Sequence, residues 1–172
     1  MKTKTICLVL LSFLLAACDT DASINTNAEK VINTAAEITD FDLPAGYSPE
    51  FTASLEGYTL VSYTPGDGHS HLYLIQSEKE TDGEKLDNML YQIAPGSYDP
   101  QTRMTVIETR PVPVRGQEET LVISEGITSE GETYRQVTVA FQGKGGPALL
   151  MLSEPVASWN QEAVDVFIAS IH

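Results

Sequence analysis

The stretch that decides the fold is Arg135-Gln136-Val137-Thr138-Val139-Ala140-Phe141-Gln142-Gly143-Lys144-Gly145-Gly146-Pro147-Ala148-Leu149-Leu150-Met151-Leu152. Arg135, Val137, Val139 and Phe141 alternate with Gln136, Thr138, Ala140 and Gln142, which predicts a strand with one buried and one polar face. Gly143 to Pro147 then makes a tight connection. It resembles a phosphate loop only superficially, because it precedes a strand and has no helix N-terminus behind it to hold an anion. Ala148 to Leu152 is apolar throughout, as expected of a central strand covered on both faces.

Downstream, Ser158 and Gln161 have the spacing of a capping box and predict the start of a C-terminal helix. Trp159, Ala163, Val166, Phe167, Ser170 and Ile171 are expected on one face, with Asn160, Glu162 and Asp165 in water. Trp159 reads as a core anchor over the sheet.

Upstream, Ala28, Val31, Ile32, Ala35 and Ala36 predict a short amphipathic helix. Ile38 to Leu43 alternates and predicts a strand ending at Pro44-Ala45-Gly46. Tyr58 to Tyr63 and His71 to Gln76, separated by Pro65-Gly66-Asp67-Gly68, predict a hairpin. Leu86, Met89, Leu90 and Ile93 form a helical face that ends at Pro95-Gly96. Met104 to Glu108 predicts a strand whose end, near Pro111 and Pro113, lies at a sheet edge. Arg115-Gly116-Gln117 turns into a further strand, Thr120 to Ile123. Clustered strands with short turns between three helices predict an α+β fold, a mainly antiparallel β-sheet packed with helices on its faces.

The run Phe141 to Leu152, Trp159, and the ending Phe167-Ile168-Ala169-Ser170-Ile171 resemble the close of Mog1/PsbP-like domains. DcrB-type bacterial lipoproteins belong to that group. Asp42-Leu43-Pro44-Ala45-Gly46-Tyr47 resembles their first strand. The resemblance covers about a third of the chain, rests on structural residues, and implies a sandwich of sheet and helices with no shared catalytic motif.

The N-terminus reads as an address. Lys2 and Lys4 precede an apolar run, Ile6 to Leu15, and then Leu15-Ala16-Ala17-Cys18. The run is too short to span a bilayer and reads as a secretory signal. The last four residues resemble the lipobox of bacterial lipoproteins, which implies cleavage before Cys18 and acylation of its thiol. The expected domains are a signal peptide at 1–17, a lipidated Cys18 with a flexible tether at 18–27, and one α+β domain at 28–172. Asp19 resembles an inner-membrane retention signal, which implies the periplasmic face of that membrane; otherwise the expected site is the outer membrane.

Of 172 residues, 155 then remain, with eight Lys and Arg against 24 Asp and Glu, a formal charge of −16. So acidic a chain disfavours nucleic acid and anionic headgroups as partners. Cys7 lies in the signal and Cys18 is the acylation site, which leaves no thiol for a disulfide, redox pair or nucleophile.

Asp67, His69 and His71 form the one cluster that suggests a metal, since two imidazoles and a carboxylate can ligate zinc or copper. Pro65-Gly66-Asp67-Gly68 is equally a complete turn, and that reading is preferred. The terminal His172 is expected to be exposed. No Gly-x-Ser-x-Gly elbow is present, and pairs such as Glu118 and Glu119, Asp40 and Asp42, or Glu125 and Glu130 are expected in a highly acidic chain without catalytic meaning. Seven tyrosines (47, 58, 63, 73, 91, 98 and 134) would favour a protein interface where they are exposed.

The expected function is therefore a membrane-anchored, non-enzymatic binding or accessory domain for another envelope protein, with no cofactor and no catalytic residues assigned. Contact guesses are Pro111 to Gly116 and the loop Gly66 to Ser70. The alternatives are a small-ligand carrier with a pocket between sheet and helix, or a metal-binding protein using Asp67, His69 and His71.

Overall fold

The computed structural model describes residues 22–94 and 104–172. The signal, Cys18 and Asp19 lie outside the described residues, as do Pro95-Gly96 and Tyr98. In chain order the elements are β1 (Ser23–Asn25), α1 (Ala28–Ile38), β2 (Ser48–Leu55), β3 (Tyr58–Thr64), β4 (His71–Ser77), α2 (Gly83–Ile93), β5 (Thr105–Val114), β6 (Gln117–Ile127), β7 (Thr133–Gln142), β8 (Pro147–Pro155) and α3 (Gln161–Ala169).

The strands form one eight-stranded sheet in the order β1-β2-β3-β4-β8-β7-β6-β5, and every neighbouring pair is antiparallel. Two four-stranded meanders meet where β4 pairs with β8. The fold is α+β.

The apolar run 148–152 sits at this seam and faces both ways. Ala148, Leu150 and Leu152 join the core beneath α1 and α3. Leu149 and Met151 join a smaller core beneath α2, with Leu60, Tyr73, Ile75, Leu86 and Leu90. Helices therefore cover both faces, α1 and α3 on one and α2 on the other.

The glycines of the β7–β8 connection answer to close packing as well as to the turn. Lys144 N donates to the Ile38 carbonyl at 2.8 Å, and Gly145 N donates to Gln76 Oε1 at 3.0 Å. The Lys144 ammonium donates to Ala36 O at 2.8 Å and to Asp40 Oδ2 at 2.6 Å. It thereby satisfies a free carbonyl in the last turn of α1 and places a cation at the negative end of that helix. The same hydrogen bond holds the Asp40 carboxyl below its usual range.

Four expectations are corrected. Ile38 to Leu43 is not a strand: α1 runs to Ile38, and the backbone of Asp40 exchanges hydrogen bonds with the terminal His172 at 3.0 and 3.2 Å. His172 itself is exposed. Within the expected tether, Ser23–Asn25 pairs with β2 as a short edge strand. The cap of α3 is Asn160, whose Oδ1 accepts from Ala163 N at 3.1 Å, rather than Ser158. The buried face of α3 is Val164, Phe167, Ile168 and Ile171, while Ala163 and Val166 are exposed. Trp159 packs against the larger core, as expected of an anchor, with the Arg135 guanidinium 5.3 Å above its ring.

β5 is an edge strand, as its prolines foretell. The two-residue loop Arg115-Gly116 makes Val114 and Gln117 the closing hydrogen-bonded pair, so Thr109, Pro111 and Pro113 turn their backbone outward. Two of these three outward positions have no N–H, which blunts the edge against strand addition. The double variant Pro111→Val, Pro113→Val is expected to self-associate at concentrations where the parent is monodisperse. Sedimentation velocity checks this; unchanged sedimentation would remove the guarding role of these prolines.

Candidate functional site

The β3–β4 loop is built around Asp67. Its Oδ1 accepts from His69 N and Ser70 N, each at 2.8 Å, and its Oδ2 accepts from Ser70 Oγ at 2.8 Å. Burial pushes the Asp67 carboxyl up, but these hydrogen bonds outweigh it and hold the group below its usual range. The carboxylate is thus committed to shaping a turn.

The two imidazoles go to different neighbours. His69 Nδ1 lies 3.1 Å from Tyr134 Oη and 3.9 Å from Glu132. His71 Nδ1 lies 3.7 Å from Glu50 Oε2, and its ring stacks on Tyr73 with centroids 5.4 Å apart. Asp67, His69 and His71 therefore do not converge, and among the described residues no three His, Cys, Asp or Glu side chains form a group able to hold a metal.

His71 belongs instead to a polar cluster that spacing alone does not reveal. On the α2 face, Glu50 Oε2 accepts from Ser62 Oγ at 2.6 Å. Tyr73 Oη and His71 Nδ1 are buried there without a hydrogen bond. Burial, and then the charge of Glu50, push the Tyr73 phenol above its usual range. Ser62 is fully buried and donates to a carboxylate rather than to an imidazole, so it lacks the geometry of an activated nucleophile.

The tyrosines are not the exposed platform that an aromatic interface requires. Of the six described, Tyr63 and Tyr73 are buried and Tyr47, Tyr58, Tyr91 and Tyr134 are half-buried. Tyr47 Oη donates to Glu154 at 2.7 Å, and burial together with that carboxylate raises its pKa far above the usual value. Tyr134 is pushed up to about 12 by burial and by Glu132.

The two guessed contact regions lie at opposite ends of the strands. The β3–β4 loop meets Tyr134 near the start of β7, whereas the Arg115 guanidinium donates to the Gln142 carbonyl at the end of β7. Eight residues of β7 separate them by about 27 Å at the rise of an antiparallel strand. They cannot form one small contact surface. A depression of about 290 Å³ beside Arg115 and Lys144 offers no ready anion site, since both cations are already bonded to carbonyls.

A cleft between sheet and helix does exist, and apart from Ile24 its lining residues are polar. Ser23, Asn25, Thr52, Ser54 and Thr59 from β1–β3 face Lys30, Thr34 and Glu37 of α1 across about 230 Å³. Thr34 is 5 % exposed and its Oγ1 has no hydrogen-bond partner among the described residues. A carrier pocket between sheet and helix was one of the alternatives; this cleft lies there, and five of its lining residues carry hydroxyls.

Asp87 on α2 is a further group that sequence reasoning missed. It lies one turn beyond Gly83, which packs tightly against Ala140 of β7. Its Oδ1 is buried without a partner, and burial pushes its pKa up to about 6. An acid whose folded pKa is raised contributes stability below its unfolded pKa and loses it as pH rises through the folded value. Asp87→Asn is therefore expected to match the parent near pH 4 and to exceed it above pH 6, by about 1 kcal/mol after allowing for partial exposure. Urea denaturation across this range checks it; a difference independent of pH would contradict the assignment.

No protein-family model matches the chain, and no curated protein matches it either. Among the described residues, no helix is long and apolar enough to cross a membrane.

Proposed function

We propose that the chain is a lipid-anchored protein of the bacterial envelope, acylated at Cys18, whose Mog1/PsbP-like domain acts as a non-enzymatic binding or accessory module for another envelope protein. The observation that carries this reading is the signal ending in Leu15-Ala16-Ala17-Cys18, followed by a domain with no further cysteine. The order of the last elements supports the domain type: a hairpin, a central apolar strand and a C-terminal helix, β7, β8 and α3.

The mechanism is confinement. Two or more acyl chains hold a protein stably at a bilayer, and confinement raises its effective concentration near membrane partners without any new contact. Recognition then falls to exposed loops and edges.

Metabolic labelling with radioactive palmitate in a bacterial host tests the anchor. Wild type is expected to take up label and Cys18→Ala to take up none. Label persisting in Cys18→Ala, or missing from wild type, would overturn the anchor and the confinement built on it.

A second reading, a carrier for a small polar ligand, is favoured by the hydroxyl-lined cleft and the unpartnered Thr34 Oγ1. A buried hydroxyl without a partner is costly unless something supplies a hydrogen bond. A ligand in the cleft would do so.

A further inference from the structure

We propose that the cleft between β1–β3 and α1 binds a short peptide of two or three residues with both termini free, its carboxylate at Lys30 and its ammonium at Glu37. The proposal rests on the second reading above and names the ligand.

The charges on α1 carry the argument. Lys30, Thr34 and Glu37 follow one another at spacings of four and three, so they share one face of the helix, and all three line the cleft. The helix runs from Ala28 to Ile38, which puts Lys30 in its first turn and Glu37 in its last. Each charge therefore sits at the end where the helix dipole disfavours it. Among the described residues neither makes an ion pair that would offset this. Two charges set against a local rule and facing a cavity point to a ligand rather than to stability.

The strands fix which groups lie at each end. β1 leads into α1 through Thr26 and Asn27, so Asn25 and its register partner Thr52 lie beside Lys30. At the far end of α1, Lys144 N donates to the Ile38 carbonyl and Gly145 N donates to Gln76, whose register partner is Thr59. Glu37 thus lies toward Thr59 and its own partner, Ser54. Asn25 Oδ1 accepts from Asn27 N at 2.8 Å, which leaves the Asn25 amide nitrogen as a donor. One end of the cleft therefore offers donors, Lys30 and Asn25, that suit a carboxylate. The other offers a carboxylate and two hydroxyls, which accept from an ammonium. Thr34 lies between, 5 % exposed, with no partner for its Oγ1 among the described residues. Hydroxyls both donate and accept, as the N–H and C=O of a peptide bond require.

Size and charge narrow the ligand further. Seven residues of helix set Lys30 and Glu37 about 10 Å apart along the axis, and three extended residues of a peptide span about the same length. The cleft, at about 230 Å³, lies below the roughly 300–1,000 Å³ of sites for drug-sized ligands. No aromatic ring lines it among the described residues, so nothing there stacks on a sugar or a base. Its one apolar residue, Ile24, pairs in register with Ala53 of the core beneath α2 and so turns its side chain away. A chain of net charge −14 repels a net anion but not a zwitterion.

Isothermal titration of the full acylated chain in detergent micelles tests this with three probes: tri-alanine with free ends, the same tripeptide acetylated and amidated, and glucose as a neutral polyol. Tri-alanine is expected to bind, and the capped form to bind at least tenfold more weakly. Lys30→Met and Glu37→Gln are each expected to weaken free tri-alanine several-fold and to leave the capped form unchanged. Both positions are exposed, so folding of the variants is not at stake. Equal binding of free and capped tripeptide, or full affinity in both variants, would overturn the proposal. Binding of glucose alone would overturn it while sparing a carrier of polar ligands, and no heat from any probe would overturn both.

Discussion

Gly146→Ala is expected to lower the stability of the domain by about 3–5 kcal/mol, the largest loss from any single methyl group in the fold. Gly146 sits at φ +151, and a Cβ built there would lie 2.1 Å from the carbonyl oxygen of Ser77. That oxygen belongs to backbone at the end of β4, so it cannot rotate away as a side chain would. The cost combines backbone strain of about 1–3 kcal/mol with overpacking of similar size. Gly116→Ala is the control. It also has positive φ, at +76, but nothing lies within 4 Å of the added carbon, so a cost of about 1 kcal/mol is expected. Urea denaturation of both variants checks the contrast. Equal losses would mean that the docking of the β7–β8 loop on β4 and α1 does not hold the sheet's centre together.

The second large effect belongs to α3. Ile168→Ala is expected to cost about 2–5 kcal/mol, because Ile168 is 2 % exposed in the larger core and truncation leaves a cavity. Val166→Ala, two residues away on the solvent side, is expected to change stability by less than about 0.5 kcal/mol, since Val166 is 67 % exposed. Thermal unfolding of the pair separates the structural face of this helix from the face that its sequence spacing suggests. A larger loss at Val166 would restore the latter.

That difference shows where pattern reading stops. Ser158 and Gln161 have capping-box spacing, yet Ser158 Oγ donates to the Pro155 carbonyl and Gln161 bonds to Trp159 and Asp165. Asn160 takes the cap, and the helical face rotates with it. Spacing identifies a helix; the competition among nearby polar groups decides its first residue.

The expected strands leave out β2, although its pattern is present. Phe51, Ala53 and Leu55 alternate with Thr52 and Ser54 as in a half-buried strand, with Phe51 and Ala53 packed in the core beneath α2 and Thr52 and Ser54 on the polar cleft. Ile38 to Leu43 erred in the opposite direction. Phe41 and Leu43 do pack on the core, but the backbone finds the C-terminal residue instead of a strand to pair with.

The central elements were legible because burial on both faces leaves no room for polar residues. Ala148 to Leu152 reads as a covered strand and is one. The prolines of β5 likewise mark an edge, because a missing N–H is tolerated only where no neighbour needs it. Direction was not legible at the candidate metal cluster. Asp67, His69 and His71 are close in sequence, but the turn consumes the carboxylate and the imidazoles point to Tyr134 and Glu50. Likewise Asp87 lies beside the apolar pair Leu86 and Leu90, and only the packing of Gly83 on β7 brings it indoors.

The central claim is that this domain works as a membrane-confined binding module. It is tested most directly by crosslinked pull-down from intact membranes, comparing the wild-type chain with Cys18→Ala. The account predicts that wild type recovers the same envelope protein reproducibly and that Cys18→Ala loses it. Recovery of no specific protein by the acylated wild type, or equal recovery by both forms, would contradict it.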